Sequence, residues 1–107
     1  MGFTPNAFVV FATQAQFNDY KMQVLSVTDE MSDDTTYLDK PCFSGWLKGQ
    51  ATCAFVETDP FDVAHSLGAA EGRSKVHTLI VHEDLAPAMA PLAKFVRHFG
   101  VMVSQEA

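Results

Sequence analysis

The order of hydrophobic patterns along the chain predicts an α+β fold, a ferredoxin-like βαββαβ sandwich. Three observations predict it. Two segments space their apolar residues as one face of a helix, and four short apolar runs are typical of strands. In addition, a chain of 107 residues with 48% hydrophobic residues can bury a core of its own. We therefore expect a single domain over residues 1–107, with helices packed on one face of a sheet.

A first strand and a first helix are predicted before residue 32. Residues 7–12 are uniformly apolar, which is typical of a buried strand. Between residues 15 and 31, apolar side chains recur along one helical face: Phe17, Tyr20, Val24 and Met31. Residues 33–40 are mostly polar and predict a loop, and Pro41, which has no N–H to donate, suits the first position of the next strand.

A β-hairpin is predicted over residues 42–56, with its turn at Lys48-Gly49. Glycine supplies the positive φ that such a tight turn requires. Centring the hairpin on this turn gives three facing pairs, Phe43 with Ala54, Gly45 with Thr52 and Trp46 with Ala51.

The second half of the chain predicts a helix, a strand and a C-terminal extension. Thr58 or Asp59 can cap a helix that starts at Pro60 and runs to Ala70, with Gly72 as its stop. A fourth strand follows over residues 75–82. Beyond it we expect an extra helix from Pro91 to Phe99, a break at Gly100, and a short fifth strand at the sheet edge, Val101–Val103.

The first strand is apolar on both faces, which bears on assembly. Phe8 and Val10 point to one side of the sheet, and Val9 and Phe11 point to the other. Since the second face must also be covered, either the C-terminal segment covers it or copies of the chain associate. We expect self-association, giving a dimer or trimer.

Charge limits the partners. Seven Lys and Arg against 13 Asp and Glu give a net charge of −6, which disfavours direct binding of nucleic acid. Four acids at and just beyond the end of the first helix, Asp29, Glu30, Asp33 and Asp34, form a candidate partner-binding patch. They are interpreted either as a solvated loop or as a patch that imitates DNA or docks on a basic partner.

No pattern of metal-ligating or cofactor-binding residues is found. The four histidines are scattered, and Cys42 and Cys53, which fall diagonally on one hairpin face, lack C-x-x-C spacing and predict buried reduced thiols. No stretch is long and apolar enough to span a membrane, and no signal peptide is recognised, so a cytoplasmic protein is expected. A candidate ligand site combines an aromatic pair, a small residue and an amide on the hairpin: Phe43, Gly45, Trp46 and Gln50.

Several of these segments resemble a known family. The strand Phe8-Val9-Val10-Phe11-Ala12-Thr13, Asn18 in the helix, and Cys42-Phe43-Ser44-Gly45 opening the hairpin resemble small phage-encoded proteins with a trimeric PII-like fold, among them S-adenosylmethionine lyases. The resemblance covers residues 7–82 and implies ligand clefts between subunits, beside the hairpin. Phe43 stands where the family has Tyr, and Gln50 is the nearest match to a family Glu, which implies a member that binds rather than cleaves.

The expected function is therefore that of a small, acidic, oligomeric binding or regulatory protein. It would be a phage host-takeover or anti-defence factor that binds a host protein or a nucleotide-like ligand. One alternative is an enzyme resembling the S-adenosylmethionine lyases that acts on a nucleotide-like small molecule at subunit interfaces, with Gln50, Glu57 or His77 in polar roles. The other alternative is an acidic DNA mimic.

Overall fold

The computed structural model describes residues 5–34, 41–67 and 76–103. Within these ranges the strands are β1 Ala7–Phe11, β2 Met31–Asp34, β3 Cys42–Leu47, β4 Gln50–Val56, β5 Thr78–His82 and β6 His98–Met102. The helices are α1 Gln14–Leu25, α2 Pro60–Leu67 and α3 Ala86–Met89, and α3 is flanked by 3-10 helices at Glu83–Leu85 and Ala90–Phe95.

The six strands form one mixed sheet in the order β2-β3-β4-β1-β5-β6. Strands β4, β1, β5 and β6 run parallel to one another, and β2, β3 and β4 are antiparallel neighbours. The predicted α+β class is confirmed. The strand arrangement differs from an antiparallel ferredoxin-like sheet, because the central strand β1 is parallel to both of its neighbours and because β2 and β6 extend the two edges.

Helices cover both faces of the sheet, so the prediction that they pack on one face is wrong. On one face, α1 packs Phe17, Tyr20 and Val24 against Val9 and Phe11 of β1; we call this the α1-side cluster. On the other face, α2, α3 and the 3-10 helices pack against Phe8 and Val10 of the same strand; we call this the α2-side cluster. A parallel strand buried on both faces is expected to be uniformly apolar, as residues 7–11 are.

The two apolar faces of the sheet are therefore covered within one chain. Each of the five residues of β1 is at most 3% exposed without a second copy. The apolar residues on both faces of β1 led us to expect a dimer or trimer. They are instead covered by α1 on one face and by the segment after β4 on the other. Self-association stays a prediction, and it needs a different physical basis.

The helix starts follow local sequence chemistry. Thr13 caps α1: its Oγ1 accepts a hydrogen bond from the Gln16 N–H at 3.2 Å, and the Gln16 side chain returns to the cap backbone. Pro60 is the first residue of α2, as predicted, and Asp59 Oδ1 accepts a hydrogen bond from the Phe61 N–H at 2.9 Å.

The predicted hairpin register is confirmed in full. Lys48 and Gly49 both have positive φ, 53° and 78°, which is the geometry of a type I′ turn. The three predicted pairs are the ones observed: Phe43 with Ala54, Gly45 with Thr52 and Trp46 with Ala51.

Several predicted boundaries are corrected. Helix α1 ends at Leu25 rather than at Met31, and Met31 opens β2 instead. The predicted loop over 33–40 begins within β2, and residues 35–40 lie outside the described ranges. The predicted stop at Gly72 and the start of the fourth strand at Lys75 also lie outside them.

The predicted C-terminal extension is present with different bounds. A 3-10 helix at Ala90–Phe95 stands in place of the predicted helix from Pro91 to Phe99. Strand β6 begins at His98 and includes Gly100, which was expected to be a break. None of the helices in the described ranges combines the length and the apolar character needed to cross a membrane.

Both cysteines are expected to stay reduced in protein purified without reductant. Cys42 and Cys53 are buried thiols in the α2-side cluster. The register pairs Cys53 with Ser44, which lies two positions after Cys42 on the same face of β3. Cys42 and Cys53 are therefore diagonal neighbours, with Cα atoms roughly 7–8 Å apart. That separation exceeds the Cα distance of most disulfides. Mass spectrometry after alkylation in denaturant should find two modified thiols, and a quantitative intramolecular disulfide would contradict this expectation.

Candidate functional site

An open groove of about 360 Å³ lies alongside α1, and we call it the α1 groove. Its walls come from one side of α1, from the tip of the β3-β4 hairpin, and from the carboxyl ends of β1, β5 and β6. The volume falls at the lower end of the roughly 300–1,000 Å³ typical of small-molecule sites. Aromatic and aliphatic side chains make up much of the lining, among them Phe11, Tyr20, Val24, His82 and Met102.

Tyr20 lines this groove and carries a buried hydroxyl. The residue is 9% exposed, and among the residues that the structure describes its hydroxyl is the one buried side-chain polar atom without a hydrogen-bond partner. Its ring packs against Phe11 with centroids 5.1 Å apart and meets Phe43 edge-on at 6.3 Å. Burial raises the pKa of Tyr20 from 10.0 to about 12, because the charged phenolate would be poorly solvated there.

The groove reaches the carboxyl ends of β1 and β5 at a switch in chain direction. Strand β1 is followed by α1, which crosses one face of the sheet toward β2. Its neighbour β5 is followed by the 3-10 helices and α3, which cross the other face toward β6. In open sheets with parallel strands, a crevice forms where adjacent connections depart on opposite faces, and ligands bind there.

A hydrogen-bond network joins the start of α1 to the end of β5. Gln16 Oε1 accepts from the backbone N–H groups of Ala12 and Thr13 at 2.9 and 3.2 Å. Its Nε2 donates to Asp84 Oδ2 at 2.7 Å. The side-chain amide of Gln16, a residue that lines the groove, therefore serves both the helix cap and a contact with the segment that follows β5.

His82 continues the network into the groove. The residue is 4% exposed, and its Nδ1 accepts a hydrogen bond from the Asp84 N–H at 3.1 Å. Since Nδ1 acts as an acceptor, neutral His82 carries its proton on Nε2. The imidazole lies 6.3 Å from the Phe11 ring, between centroids. His82 is thus held in one orientation as part of the aromatic wall.

The charges at the groove are few. Lys48 is the one Lys or Arg among the described residues that line it, and Asp19 is the one carboxylate. The nearby Lys21 is engaged elsewhere: its Nζ lies 2.6 Å from Asp33 Oδ1 and over the rings of Phe17 and Phe43 at 5.2 and 5.9 Å. A groove with one cation and one carboxylate suits an uncharged or singly charged ligand better than a polyphosphate.

The four residues predicted as a ligand site do not converge on one surface. Phe43 is fully buried in the α1-side cluster, whereas Trp46 lies on the opposite face of β3 with 52% of its surface exposed. Gln50 is exposed beside the hairpin tip. Gly45, with φ of 150°, lies against the backbone at Glu30 and Met31, so close backbone packing and not ligand access explains the glycine.

Trp46→Ala is expected to leave the fold intact. Because the indole is half exposed at the hairpin, removing it should change the free energy of unfolding by about 1 kcal/mol or less. Circular dichroism during thermal unfolding checks this expectation. A variant without a cooperative transition would place Trp46 in the core.

The four acids predicted as a partner-binding patch lie on and before the edge strand β2. Asp29 and Glu30 are exposed in the turn that precedes β2, and the Asp33 carboxylate, 64% exposed, forms the ion pair with Lys21. Asp34 is the last residue of β2. Partner binding by these residues stays a prediction.

The residues considered for the enzyme alternative lie apart. The Glu57 N–H bonds to the Phe11 carbonyl at the carboxyl end of β1, whereas the His77 N–H bonds to the Asn6 carbonyl before β1 begins. Five residue steps along the strand, from Asn6 to Phe11, separate these carbonyls by roughly 16 Å. Glu57 Oε2 accepts from the N–H groups of Thr58 and Asp59, both at 3.1 Å, so its carboxylate organises the entry to α2.

Sequence reasoning missed the groove residues. The spacing places Tyr20 on the apolar face of α1, and nothing in it distinguishes a core tyrosine from one that also lines a groove. One signal was readable: Thr13-Gln14-Ala15-Gln16 matches the T-x-x-Q capping box, which predicts the helix start and the role of Gln16 there. The link from Gln16 to Asp84 joins residues 68 positions apart, so no local pattern predicts it.

Comparison with solved structures gives only distant likeness. The chain is similar to a crystal structure from Borrelia burgdorferi B31, assigned as a 5′-methylthioadenosine/S-adenosylhomocysteine nucleosidase bound to adenine, with 10% identity and a TM-score of 0.44. The match covers 94% of this chain and 66% of the length of that chain. No family model and no curated protein matches the sequence. At this identity and TM-score the likeness carries no functional inference.

Proposed function

We propose that this is a small binding or regulatory protein that holds a nucleotide-like ligand in the α1 groove. The observation that carries the proposal is that Tyr20, a residue lining the groove, has a buried hydroxyl without a partner among the described residues. Leaving such a group unsatisfied costs about 1–3 kcal/mol. A ligand acceptor placed against the hydroxyl recovers that free energy, so the cost is a reason to expect an occupant.

The lining favours a planar, weakly charged ligand. The rings of Phe11, Tyr20 and His82 pack together and give one wall of the groove an aromatic character. The exposed amide of Gln23 can both donate and accept hydrogen bonds at the same groove. With Lys48 as the lining cation, the base or nucleoside part of a nucleotide-like molecule fits this chemistry better than its phosphates do.

The wider role follows from the resemblance described above. Kinship with phage-encoded PII-like proteins would make such a ligand-binding protein a host-takeover or anti-defence factor. This kinship, and the enzyme resembling the S-adenosylmethionine lyases, stay predictions. The DNA-mimic alternative rests on the acids at β2, and binding by a mimic should weaken steeply with added salt.

The ligand is tested by thermal shift and calorimetry with adenine, adenosine, AMP and S-adenosylmethionine. We expect at least one of them to raise the unfolding temperature. Tyr20→Phe keeps the ring and removes the hydroxyl, so it should weaken that ligand by about 5- to 30-fold, which corresponds to about 1–2 kcal/mol.

Trp46→Ala is the control, because its indole is outside the groove lining. Binding lost in Trp46→Ala and kept in Tyr20→Phe would move the site to the hairpin. If none of the four compounds shifts the unfolding temperature, the nucleotide-like ligand class is wrong.

A further inference from the structure

The two edges of the sheet differ in how they are protected. Edge strand β2 carries Asp33 and Asp34, and inward or flanking charges on an edge discourage pairing with another strand. At the other edge, residues 85–103 contain no Asp or Glu, and β6 itself contains no Lys or Arg. The β6 edge therefore lacks the charged side chains that discourage pairing at the β2 edge.

The β6 edge also exposes apolar side chains. Val101 and Val103 are 47% and 67% exposed, and Phe99 and Met102 are half-buried. Exposed edge strands with apolar, uncharged residues offer backbone N–H and C=O groups to a second strand.

We propose that β6 pairs antiparallel with β6 of a second copy of this chain, about a two-fold axis at Gly100. This register is self-complementary: Phe99 faces Val101, and His98 faces Met102. An aromatic residue opposite a β-branched residue is a favourable cross-strand pair. A two-fold axis makes the contact closed, so it produces a dimer and not a fibre.

The charges near this edge permit a second copy there. The chain carries a net charge of −6, so two copies repel through most of their surfaces, and the carboxylate-free segment is the exception. The basic residues of the segment do not oppose each other, because Arg97 lies three positions from the axis. The two Arg97 side chains are then separated by roughly 20 Å along the strands, beyond the Debye length at physiological salt.

The pairing would add a residue to the α1 groove. Met102 lines the groove, and its register partner in the dimer is His98 of the partner subunit. Facing residues of paired strands lie on the same side of a sheet, so the partner subunit's His98 would stand at the groove rim. This consequence for the groove rests on the proposed function, whereas the pairing itself does not.

The dimer is tested by sedimentation equilibrium on the wild type, Val101→Lys and the control Met22→Lys. Met22 is 73% exposed on α1 and receives the same charge away from the edge. The wild type should reach twice the 11.7 kDa chain mass at micromolar concentration. Val101→Lys should raise the dimer dissociation constant about tenfold or more, since it places like charges beside the axis. A monomeric wild type, or equal weakening in both variants, would overturn the proposal.

A cysteine at the axis tests the register. In Gly100→Cys the new residue faces its own copy, and the backbone accepts a side chain there because an added Cβ would lie 3.6 Å from Ile80 Cγ1. Mild oxidation should give a disulfide-linked dimer on non-reducing gels, while Met22→Cys should stay monomeric. Equal cross-linking of the two variants would contradict the register. Neither measurement involves the ligand, so a failed ligand screen and a failed dimer remain separate results.

Discussion

Gly45→Ala is expected to lower the free energy of unfolding by about 3 kcal/mol or more. An added Cβ would overlap the backbone carbonyl oxygen of Glu30 and lie 2.9 Å from the Met31 Cα. Both obstacles are backbone atoms, so no side chain can rotate away. The φ of 150° at Gly45 adds a conformation that residues with a Cβ rarely adopt.

The affected contact joins β2 to the hairpin. The Trp46 N–H donates to the Glu30 carbonyl at 3.0 Å, and β2 pairs with β3 from Met31 opposite Gly45 onward. Pushing the two backbones apart would break this hydrogen bond and the first pair of the ladder together. The loss is a large share of the 5–15 kcal/mol that typically stabilises a domain.

Gly100→Ala is the matched control. Its added Cβ would make ordinary van der Waals contact with Ile80, and its φ is outside the left-handed region. We expect the free energy of unfolding to change by about 1 kcal/mol or less. Urea unfolding followed by circular dichroism compares the two variants. Equal urea midpoints for Gly45→Ala and Gly100→Ala would contradict the close approach of the Glu30 and Met31 backbone to Gly45.

The hairpin shows what local sequence can predict. Its register depends on the turn, and the turn depends on whether Lys48 and Gly49 tolerate positive φ, which is a property of two residues. The start of α2 at Pro60 and the alternation of β1 between two clusters are local in the same sense. Each follows from residue types within a few positions of one another.

Strand direction and the β2 strand depend on distant partners. Met31 fits the helical spacing of Phe17, Tyr20 and Val24, and it does join their cluster, but it does so from a strand. Burial on a common face cannot distinguish these two routes. Likewise, an apolar run predicts a buried strand, but whether β1 has parallel or antiparallel neighbours depends on how α1 and α2 cross the sheet.

The candidate site was the least predictable part. Trp46, Gly45 and Gln50 drew attention as an aromatic, a small residue and an amide within six positions. The α1 groove instead combines residues from both halves of the chain, such as Tyr20 and His82. Its most informative feature, a hydroxyl without a partner, is a property of the packed structure and has no sequence pattern.

That hydroxyl leads to the second prediction, in which Tyr20→Phe stabilises the protein. At neutral pH the substitution removes a buried polar group without a partner and keeps the ring contacts with Phe11 and Phe43. We expect the free energy of unfolding to rise by about 1–2 kcal/mol.

The difference should grow in alkaline solution. In the unfolded chain Tyr20 releases its proton near pH 10, whereas in the folded chain its pKa is raised to about 12 by burial. Between these values the unfolded state binds fewer protons than the folded state, so the stability of the wild type falls as pH rises. The variant lacks this group. By pH 11.5 the gap between the two proteins should have widened by about 2 kcal/mol.

Urea unfolding of both proteins between pH 8 and pH 11.5 measures this gap, and every ionisable group that the two share cancels from the difference. A gap that stays constant with pH would mean that Tyr20 ionises in the folded protein as easily as in the unfolded chain, and that the hydroxyl reaches solvent. The expected result is that the gap widens with pH and that Tyr20→Phe is more stable than the wild type but binds the ligand less tightly. These results together would separate two roles of Tyr20. The ring then stabilises the α1-side cluster, while the hydroxyl is kept at a cost in stability because the ligand needs it.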